Sequence, residues 1–262
     1  MIELVDNRRQ NEAWERQALS ELRSGSVLKA VAAYHQAGRV NLAPSADAAR
    51  DTLVAHWWAA RQQGTDAAMY ALRRSDVDDL NRRARRVLRA AGLLGDDTLN
   101  VAGRELAVGD DIVCLRNDRR LDITNGTTAT ITAIDADTGA ITVNLGGGNS
   151  GRVLPPEYLT AGHVAHRYAT TVHKAQGATV DRAFVLGSDT LYREAGYTAL
   201  SRARAGTDLY LVDTQPTTRN GREDVPLSPT VDLARRLQQS RAQQLASDHL
   251  QPHHERDTGL GL

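Results

Sequence analysis

The spacing of the apolar residues changes twice along this chain, and these changes limit the possible folds more than any other feature. Up to about residue 103, most apolar residues recur at helical spacing. From 104 to 159, β-branched residues occur in short alternating runs separated by turn residues. After about residue 160, short apolar runs again alternate with a helical segment. The pattern predicts an α/β domain that is interrupted by a small all-β unit.

Both patterns predict specific elements. Pro44-Ser45 is expected to open one helix and Ser75 to cap the next. The interruption predicts about five short strands, closed as a barrel, because turn signals such as Asn125-Gly126 separate its runs. Strands that alternate with helices favour a largely parallel sheet. Its strands are predicted at 67–72, 168–172, 182–186 and 208–212, with a helix across 197–204 between the last two.

The composition excludes several classes of protein. The 32 basic and 32 acidic residues give a formal net charge of zero, which argues against a protein that coats nucleic acid by bulk charge alone. Cys114 is the single cysteine, so an internal disulfide framework and a multi-cysteine metal site are excluded. No apolar run approaches the roughly 18 residues of a membrane span, and the N-terminus lacks a signal-peptide pattern. These features favour a cytoplasmic protein with no membrane partner and no protein-held metal.

Three separate segments carry residues that suit phosphate chemistry. They are Asn7-Arg8-Arg9-Gln10, Thr171-Val172-His173-Lys174-Ala175-Gln176-Gly177 and Tyr197-Thr198-Ala199-Leu200-Ser201-Arg202-Ala203-Arg204. Together they resemble motifs IV, V and VI of superfamily 1 DNA helicases of the RecD-like branch, as in the helicase half of conjugative relaxase-helicases. The resemblance covers roughly residues 1–214. It implies the second RecA-like domain, of the P-loop NTPase type, of such a motor.

The resemblance assigns the first and third segments to ATP. In this family ATP lies between two RecA-like domains, and Arg9 and Arg202 would be the catalytic cations that reach its γ-phosphate. Arginine suits this role because its planar fork can hold two phosphate oxygens and stays charged. The same resemblance implies nucleotide contacts by Gln10, Gln176 and Gly177. The alternative for either arginine is a surface residue paired with a carboxylate.

The middle segment is implied to contact single-stranded DNA. Thr171, His173 and Lys174 would donate to backbone phosphates, which position DNA without reading its sequence. The all-β unit is similar to the family's inserted barrel of the Src-homology-3 type, and it would contact DNA through Arg116. A structural histidine stays an alternative for His173. A structural scaffold stays an alternative for the all-β unit, which is net acidic and poor in aromatic residues.

The residues of a triphosphate cradle are missing from this sequence. The usual string is G-x-x-x-x-G-K-[ST]. The nearest match, at 146–152, has Arg152 in place of the lysine and Val153 in place of the hydroxyl, and we interpret it as a hairpin loop. No Asp-Glu pair ends a hydrophobic strand, where it could hold magnesium. We therefore expect ATP and Mg²⁺ to be bound mainly by another RecA-like domain, in cis or in trans.

These assignments divide the chain into four parts. Residues 1–103 and 161–214 are predicted to form the RecA-like domain, 104–160 the inserted barrel, and 215–262 a C-terminal helix with a disordered tail. The favoured function is the C-terminal motor half of an ATP-dependent helicase that translocates on single-stranded DNA and is inactive alone. Two alternatives stay open, namely a non-catalytic module that binds DNA or protein and the remnant of a truncated gene.

Overall fold

A computed structural model describes residues 9–146, 151–175, 179–187, 191–213 and 228–239. Within these ranges, no helix has both the length and the hydropathy that a membrane span requires. The elements, in chain order, are α1 (Ala13–Ser24), α2 (Val27–Gln36), β1 (Val40–Ala43), α3 (Ala46–Gln62), β2 (Ala67–Ala71), α4 (Arg74–Ala90), β3 (Thr98–Val101), β4 (Arg104–Ala107), β5 (Asp111–Cys114), β6 (Thr128–Asp135), β7 (Ala140–Asn144), β8 (Arg152–Leu154), α5 (Pro156–Thr160), β9 (Val164–His166), β10 (Ala169–Thr171), β11 (Val180–Leu186), α6 (Arg193–Leu200), β12 (Ala203–Val212) and α7 (Pro229–Gln238).

A five-stranded sheet with the order β1-β12-β11-β2-β10 forms the centre of the α/β part. All of its neighbouring strands run parallel, which confirms the predicted parallel sheet. The predicted strands correspond to β2, β10, β11 and β12. The edge strand β1 was not predicted, because it has four residues of which only Ala43 is buried, and so it carries no readable pattern.

Alternate side chains of the central strands point to opposite faces of the sheet and fill two separate cores. On one face, Tyr70, Val185 and Leu209 belong to a core that includes residues of α1, α2, α6 and α7. On the other face, Phe184 and Tyr210 pack with residues of α3 and α4. Because helices cover both faces, the central strands are almost continuously apolar.

Two of the predicted helix boundaries are wrong. Ser45 is the N-cap of α3 and its side chain accepts a backbone hydrogen bond, as predicted. Ser75, however, lies inside α4, which already begins at Arg74. The helix predicted across 197–204 ends at Leu200, because the chain soon continues as β12 and pairs with β11. Tertiary pairing therefore outweighs the local helical pattern at this point.

The β insert (residues 98–166) interrupts the α/β part between α4 and β10. Its antiparallel sheet has the order β8-β7-β6-β5-β9, and the hairpin β3-β4 forms a separate pair. Ile112, Ile131 and Val143 belong to a core of the insert's own. The predicted all-β unit is thus confirmed as a set of short strands. Its closure as a barrel and the boundaries of the four predicted parts stay predictions.

Asp110 joins the β insert to the α/β part. Its carboxylate is fully buried. It accepts hydrogen bonds from Nε of Arg85 on α4 (3.0 Å), from the backbone N–H of Ala107 (2.7 Å) and from the hydroxyl of Tyr168 (2.8 Å). The Tyr168 hydroxyl in turn accepts a hydrogen bond from the backbone N–H of Asp111 (3.0 Å). The start of the insert's five-stranded sheet is therefore bonded to the point where the chain returns to the α/β part.

Gly109, next to this junction, leaves no room for a side chain. Its φ is +91°, and a Cβ would lie 2.2 Å from the carbonyl oxygen of Leu93. Gly126 has a φ of +92° but nothing within 4 Å of the corresponding position. We expect Gly109→Ala to lower the free energy of unfolding by about 1–3 kcal/mol more than Gly126→Ala, because only the former must displace backbone. Urea unfolding of both variants measures this difference, and equal losses would contradict the close contact.

Candidate functional site

Arg202 lies in the short connection between the end of α6 and the start of β12. Ala199 and Ala203, on either side of it, are fully buried. Its backbone N–H donates to the carbonyl of Ala199 (3.3 Å), and its carbonyl accepts from the N–H of Val180 on β11 (3.2 Å). Helix and sheet therefore fix the position of the Arg202 backbone.

The guanidinium of Arg202 is turned inward, and the residue is only 9% exposed. It donates from Nε to the carbonyl of Thr198 (2.8 Å), from Nη2 to Oγ of Ser201 (2.9 Å) and from Nη1 to the carbonyl of Ala175 (3.4 Å). Burial, followed by the positive charge of Arg9, lowers the pKa of Arg202. Within the described ranges, no carboxylate pairs with it. A surface helix arginine paired with a carboxylate is therefore the wrong description of this residue.

Arg9 and Gln10 reach the same connection from a distant part of the chain. Nη1 of Arg9 donates to the carbonyl of Ser201 (2.7 Å). The side-chain amide of Gln10 donates to the carbonyls of Ser201 (3.2 Å) and Ala203 (3.0 Å). We call Arg9, Gln10, Ser201 and Arg202 the arginine site. The fold thus brings the first and third of the predicted segments together.

The middle segment begins at the edge strand β10 and turns back toward the arginine site. Thr171 is the last residue of β10, and its Oγ1 accepts a hydrogen bond from the backbone N–H of Lys174 (3.4 Å). His173 and Lys174 are exposed, whereas Ala175 is buried. Because the Ala175 carbonyl accepts from Arg202, the middle segment is connected directly to the arginine site.

The other predicted residues are not brought to the arginine site. Gln176 and Gly177 lie outside the described residues. Arg116 is an exposed residue of the β insert, and its carbonyl accepts a hydrogen bond from the hydroxyl of Tyr158 (2.7 Å). In the part of the chain that the structure describes, no hydrogen bond joins Arg116 to residues 171–174.

Three residues at or near these contacts were not among the predicted site residues. Ser201 is the common partner of both arginines, and its position next to Arg202 was the only signal for it. Burial raises the pKa of Tyr70 to about 12, although the positive charge of Arg202 acts to lower it. The influence of this charge shows that Tyr70, a strand residue, lies near the guanidinium. The hydroxyl of Tyr192 lies 2.9 Å from Nε2 of His173. Neither tyrosine belongs to a recognisable motif.

The glycine-rich string at 146–152 lies between two antiparallel strands. Residues 147–150 of the string lie outside the described residues, but β7 and β8, which flank it, pair with each other in antiparallel fashion, as the interpretation as a hairpin connection requires. Arg152 donates to the carbonyl of Leu121 and lies 3.7 Å from a carboxylate oxygen of Asp122. Its guanidinium is therefore occupied inside the β insert. In the described ranges, no group of three or more His, Cys, Asp and Glu residues is arranged to hold a metal ion.

Comparison with known families identifies the class of protein. Residues 166–212 match the UvrD-like helicase C-terminal domain. This range contains both the middle segment and the third segment. The chain is thus related to the C-terminal motor half of superfamily 1 helicases, and three strands of its parallel sheet, β10, β11 and β12, lie within the matched range.

The relatives of this chain include a conjugal transfer protein and an ATP-dependent DNA helicase. Over 205 residues, the chain is 35% identical to the conjugal transfer protein TraA of Rhizobium radiobacter. The matched region is 77% of this chain and 18% of TraA. Over 123 residues, it is 32% identical to the ATP-dependent DNA helicase Pif1 of Bdellovibrio bacteriovorus, covering 42% of this chain and 28% of that protein. The chain therefore spans less than a fifth of the TraA relative's length.

A solved structure, Bacteroides Pif1 bound to single-stranded DNA, superposes with a TM-score of 0.49 at 18% identity, over 77% of this chain and 49% of that one. The resemblance inferred from the three segments, to superfamily 1 helicases and to conjugative relaxase-helicases, is confirmed by the family match and by the TraA relative.

Proposed function

We propose that this chain is the C-terminal motor half of an ATP-dependent helicase that translocates on single-stranded DNA, in a conjugative relaxase-helicase. Its similarity to TraA and to the ATP-dependent DNA helicase Pif1 supports this proposal. The chain would supply Arg9 and Arg202 to an ATP molecule whose phosphates are held by a second RecA-like domain that carries the Walker A string. That domain acts in cis or in trans.

The observation that carries the proposal is the convergence of two arginines without a neutralising carboxylate among the described residues. Arg9 and Arg202 both bind Ser201, and the charge of Arg9 contributes to the lowered pKa of Arg202. Positive charges that are close together and partly removed from water are stabilised by an anion. The present acceptors of Arg202 are neutral oxygens, so a charged phosphate oxygen would make a stronger hydrogen bond with it. The site therefore fits a phosphate group.

The remaining parts of the ATP site would come from the other domain. The chain contains no G-x-x-x-x-G-K-[ST] string, so we assign the phosphate cradle and the Mg²⁺ ligands to that domain. Bound ATP supplies the phosphoryl group that is transferred. The part of this chain is to place Arg9 and Arg202 where negative charge develops on that group. Gln176 and Gly177 are proposed to lie on the nucleotide side of the middle segment.

ATP hydrolysis by the purified chain tests this division of labour. We expect no turnover, with or without single-stranded DNA, and DNA-stimulated turnover once a Walker A-bearing RecA-like domain of a TraA-type protein is added. Turnover by the chain alone would overturn the proposal. Absence of turnover from the combined domains, with DNA binding intact, would favour a non-catalytic binding module instead.

The middle segment is proposed to contact the DNA backbone. Thr171, His173 and Lys174 follow the end of β10, and the side chains of His173 and Lys174 are exposed to a ligand. The carbonyl of Ala175, in the same turn, binds Arg202, so a shift of the turn on DNA is transmitted to the arginine site. We propose a further DNA contact through Arg116 in the β insert, with the insert acting as a barrel of the Src-homology-3 type.

Lys174→Ala should weaken the binding of single-stranded DNA and make it less sensitive to salt. If Lys174 neutralises one phosphate, the slope of log affinity against log salt concentration should become shallower by about 0.7. Fluorescence anisotropy of a labelled oligothymidine at several salt concentrations measures this slope. Lys29→Ala is the matched control, because Lys29 is the chain's only other lysine and is exposed on α2. Equal slopes for both variants would show that Lys174 does not neutralise a phosphate of the bound DNA.

A further inference from the structure

We infer that Gln10 is a positioning residue that fixes the backbone on both sides of Arg202, and that it does not contact the nucleotide. This inference rests on the proposed function, since it concerns how Arg202 is held ready for phosphate. It gives Gln10 a different role from the nucleotide contact that the sequence resemblance implies.

The geometry begins with the two amide hydrogens of Gln10. Its Nε2 donates to the carbonyl of Ser201 at 3.2 Å and to the carbonyl of Ala203 at 3.0 Å. These two carbonyls precede and follow Arg202 in the chain. The Gln10 amide therefore spans the residue that bears the catalytic guanidinium, and both of its donors are used in doing so.

Neighbouring contacts hold Gln10 itself in place. Nη1 of Arg16, on α1, donates to the Gln10 carbonyl at 2.5 Å and to the Asn11 carbonyl at 2.8 Å. The backbone N–H of Asn11 donates to the carbonyl of Arg204 at 2.8 Å, one residue beyond the Gln10 contacts. The segment around Gln10 thus runs alongside residues 201–204 and is anchored to the first helix.

The remaining atom of the Gln10 side chain argues against contact with the nucleotide. Gln10 is 2% exposed, and its Oε1 is buried without any hydrogen-bond partner. Because this oxygen has no exposed surface, a nucleotide bound outside the domain does not reach it, either with its phosphates or with the donor groups of its base and ribose. The side chain therefore acts on the reaction only through the backbone that it binds.

Only an amide of this length meets these requirements. Glutamate would present oxygens to the two carbonyls and repel them, while an apolar side chain would leave both carbonyls without their donor. A displacement of Arg202 would follow in either case, because its side chain starts from the backbone between these carbonyls. Misplacement of a catalytic group by about 1 Å can reduce the rate about a hundredfold.

The test compares Gln10→Met with Gln17→Met in the motor assembled from this chain and its Walker A-bearing domain. Gln17 is an exposed residue of α1 whose amide binds only Glu21. We expect Gln10→Met to lower kcat by about a hundredfold, with unchanged KM for ATP and an unchanged preference for ATP over GTP, whereas Gln17→Met leaves all three unchanged. A changed KM or base preference, or an unchanged kcat, would overturn the inference.

Two further variants separate the possible causes of failure. Adding Gln10→Met to Arg202→Ala should not reduce turnover further, because Gln10 acts through Arg202; an additional loss would overturn the inference. If Arg202→Ala alone keeps full turnover, the proposed function fails, whatever Gln10 does. If Gln10→Met loses its fold, as judged by circular dichroism, Gln10→Asn replaces it. Its amide is one methylene too short to bridge both carbonyls, so we expect the same fall in kcat, with KM and base preference unchanged.

Discussion

We expect Arg202→Ala to lower ATP turnover by the assembled motor to a small residual rate, while leaving ATP binding largely intact. This result is expected because the guanidinium would act on charge that develops during phosphoryl transfer, whereas the proposed Walker A-bearing domain would hold the nucleotide in the ground state. Loss of such an arginine typically costs about a thousandfold or more in rate. Steady-state hydrolysis with saturating single-stranded DNA, together with a fluorescent nucleotide titration, measures the two quantities.

Arg204→Ala is the control for this experiment. Arg204 follows Arg202 by two residues, but it is exposed and pairs with Asp181 at 3.3 Å. We expect Arg204→Ala to keep nearly full turnover. Arg202→Lys should remain inactive, since lysine keeps the charge but lacks the planar fork. An Arg202→Ala motor with wild-type turnover would exclude the catalytic role.

Asp110→Ala should produce the second large effect, on stability. In the wild type, the Arg85 guanidinium, the Ala107 N–H and the Tyr168 hydroxyl all donate to the fully buried carboxylate of Asp110. The mutation leaves these three donors without their acceptor. Removing one partner of a buried ion pair typically costs about 3–5 kcal/mol. Denaturant unfolding should show this loss, while Asp137→Ala, in an exposed turn, should change the free energy of unfolding very little. If Asp110→Ala unfolds at the same denaturant concentration as the wild type, the Asp110 contacts do not stabilise the protein as argued.

The same carboxylate makes the stability depend on pH. Burial acts to raise the pKa of Asp110, but the neighbouring His166 and Arg85 outweigh it and hold the pKa below the usual 3.8. A folded-state pKa below the unfolded one stabilises the protein above the unfolded pKa, and this stabilisation is lost as the pH falls through the folded pKa. The difference between wild type and Asp110→Ala should thus be constant near neutral pH and shrink below about pH 4. A difference that grows in acid would contradict this assignment.

The sequence predicted the parts of the fold whose pattern reflects burial. The strands β2, β10, β11 and β12 and the short strands of the β insert were found because apolar or β-branched runs mark them. The strand β1 was missed because only one of its four residues, at the edge of the sheet, is buried. The end of α6 was misplaced because residues 201–204 continue a helical pattern, whereas pairing with β11 decides their structure.

The sequence identified the segments of the candidate site but not their contacts. Arg9 and Arg202 belong to recognisable segments, and the fold brings them to the same serine. The direction of the Gln10 amide depends on two carbonyls far away in the chain, which no local pattern encodes. Tyr70 is likewise an ordinary strand residue until the fold places it near Arg202.

The hydrogen bond between the start of the insert's five-stranded sheet and the chain's return to the α/β part has a consequence for how such domains diversify. Asp110 and Tyr168 are held together by a direct hydrogen bond, so the polypeptide between them begins and ends at one place on the α/β part. A segment attached in this way can be exchanged for a longer, shorter or unrelated unit without shifting the parallel strands. The insert can therefore change in length and sequence while the parallel strands, and with them the backbone of Arg202, keep their positions.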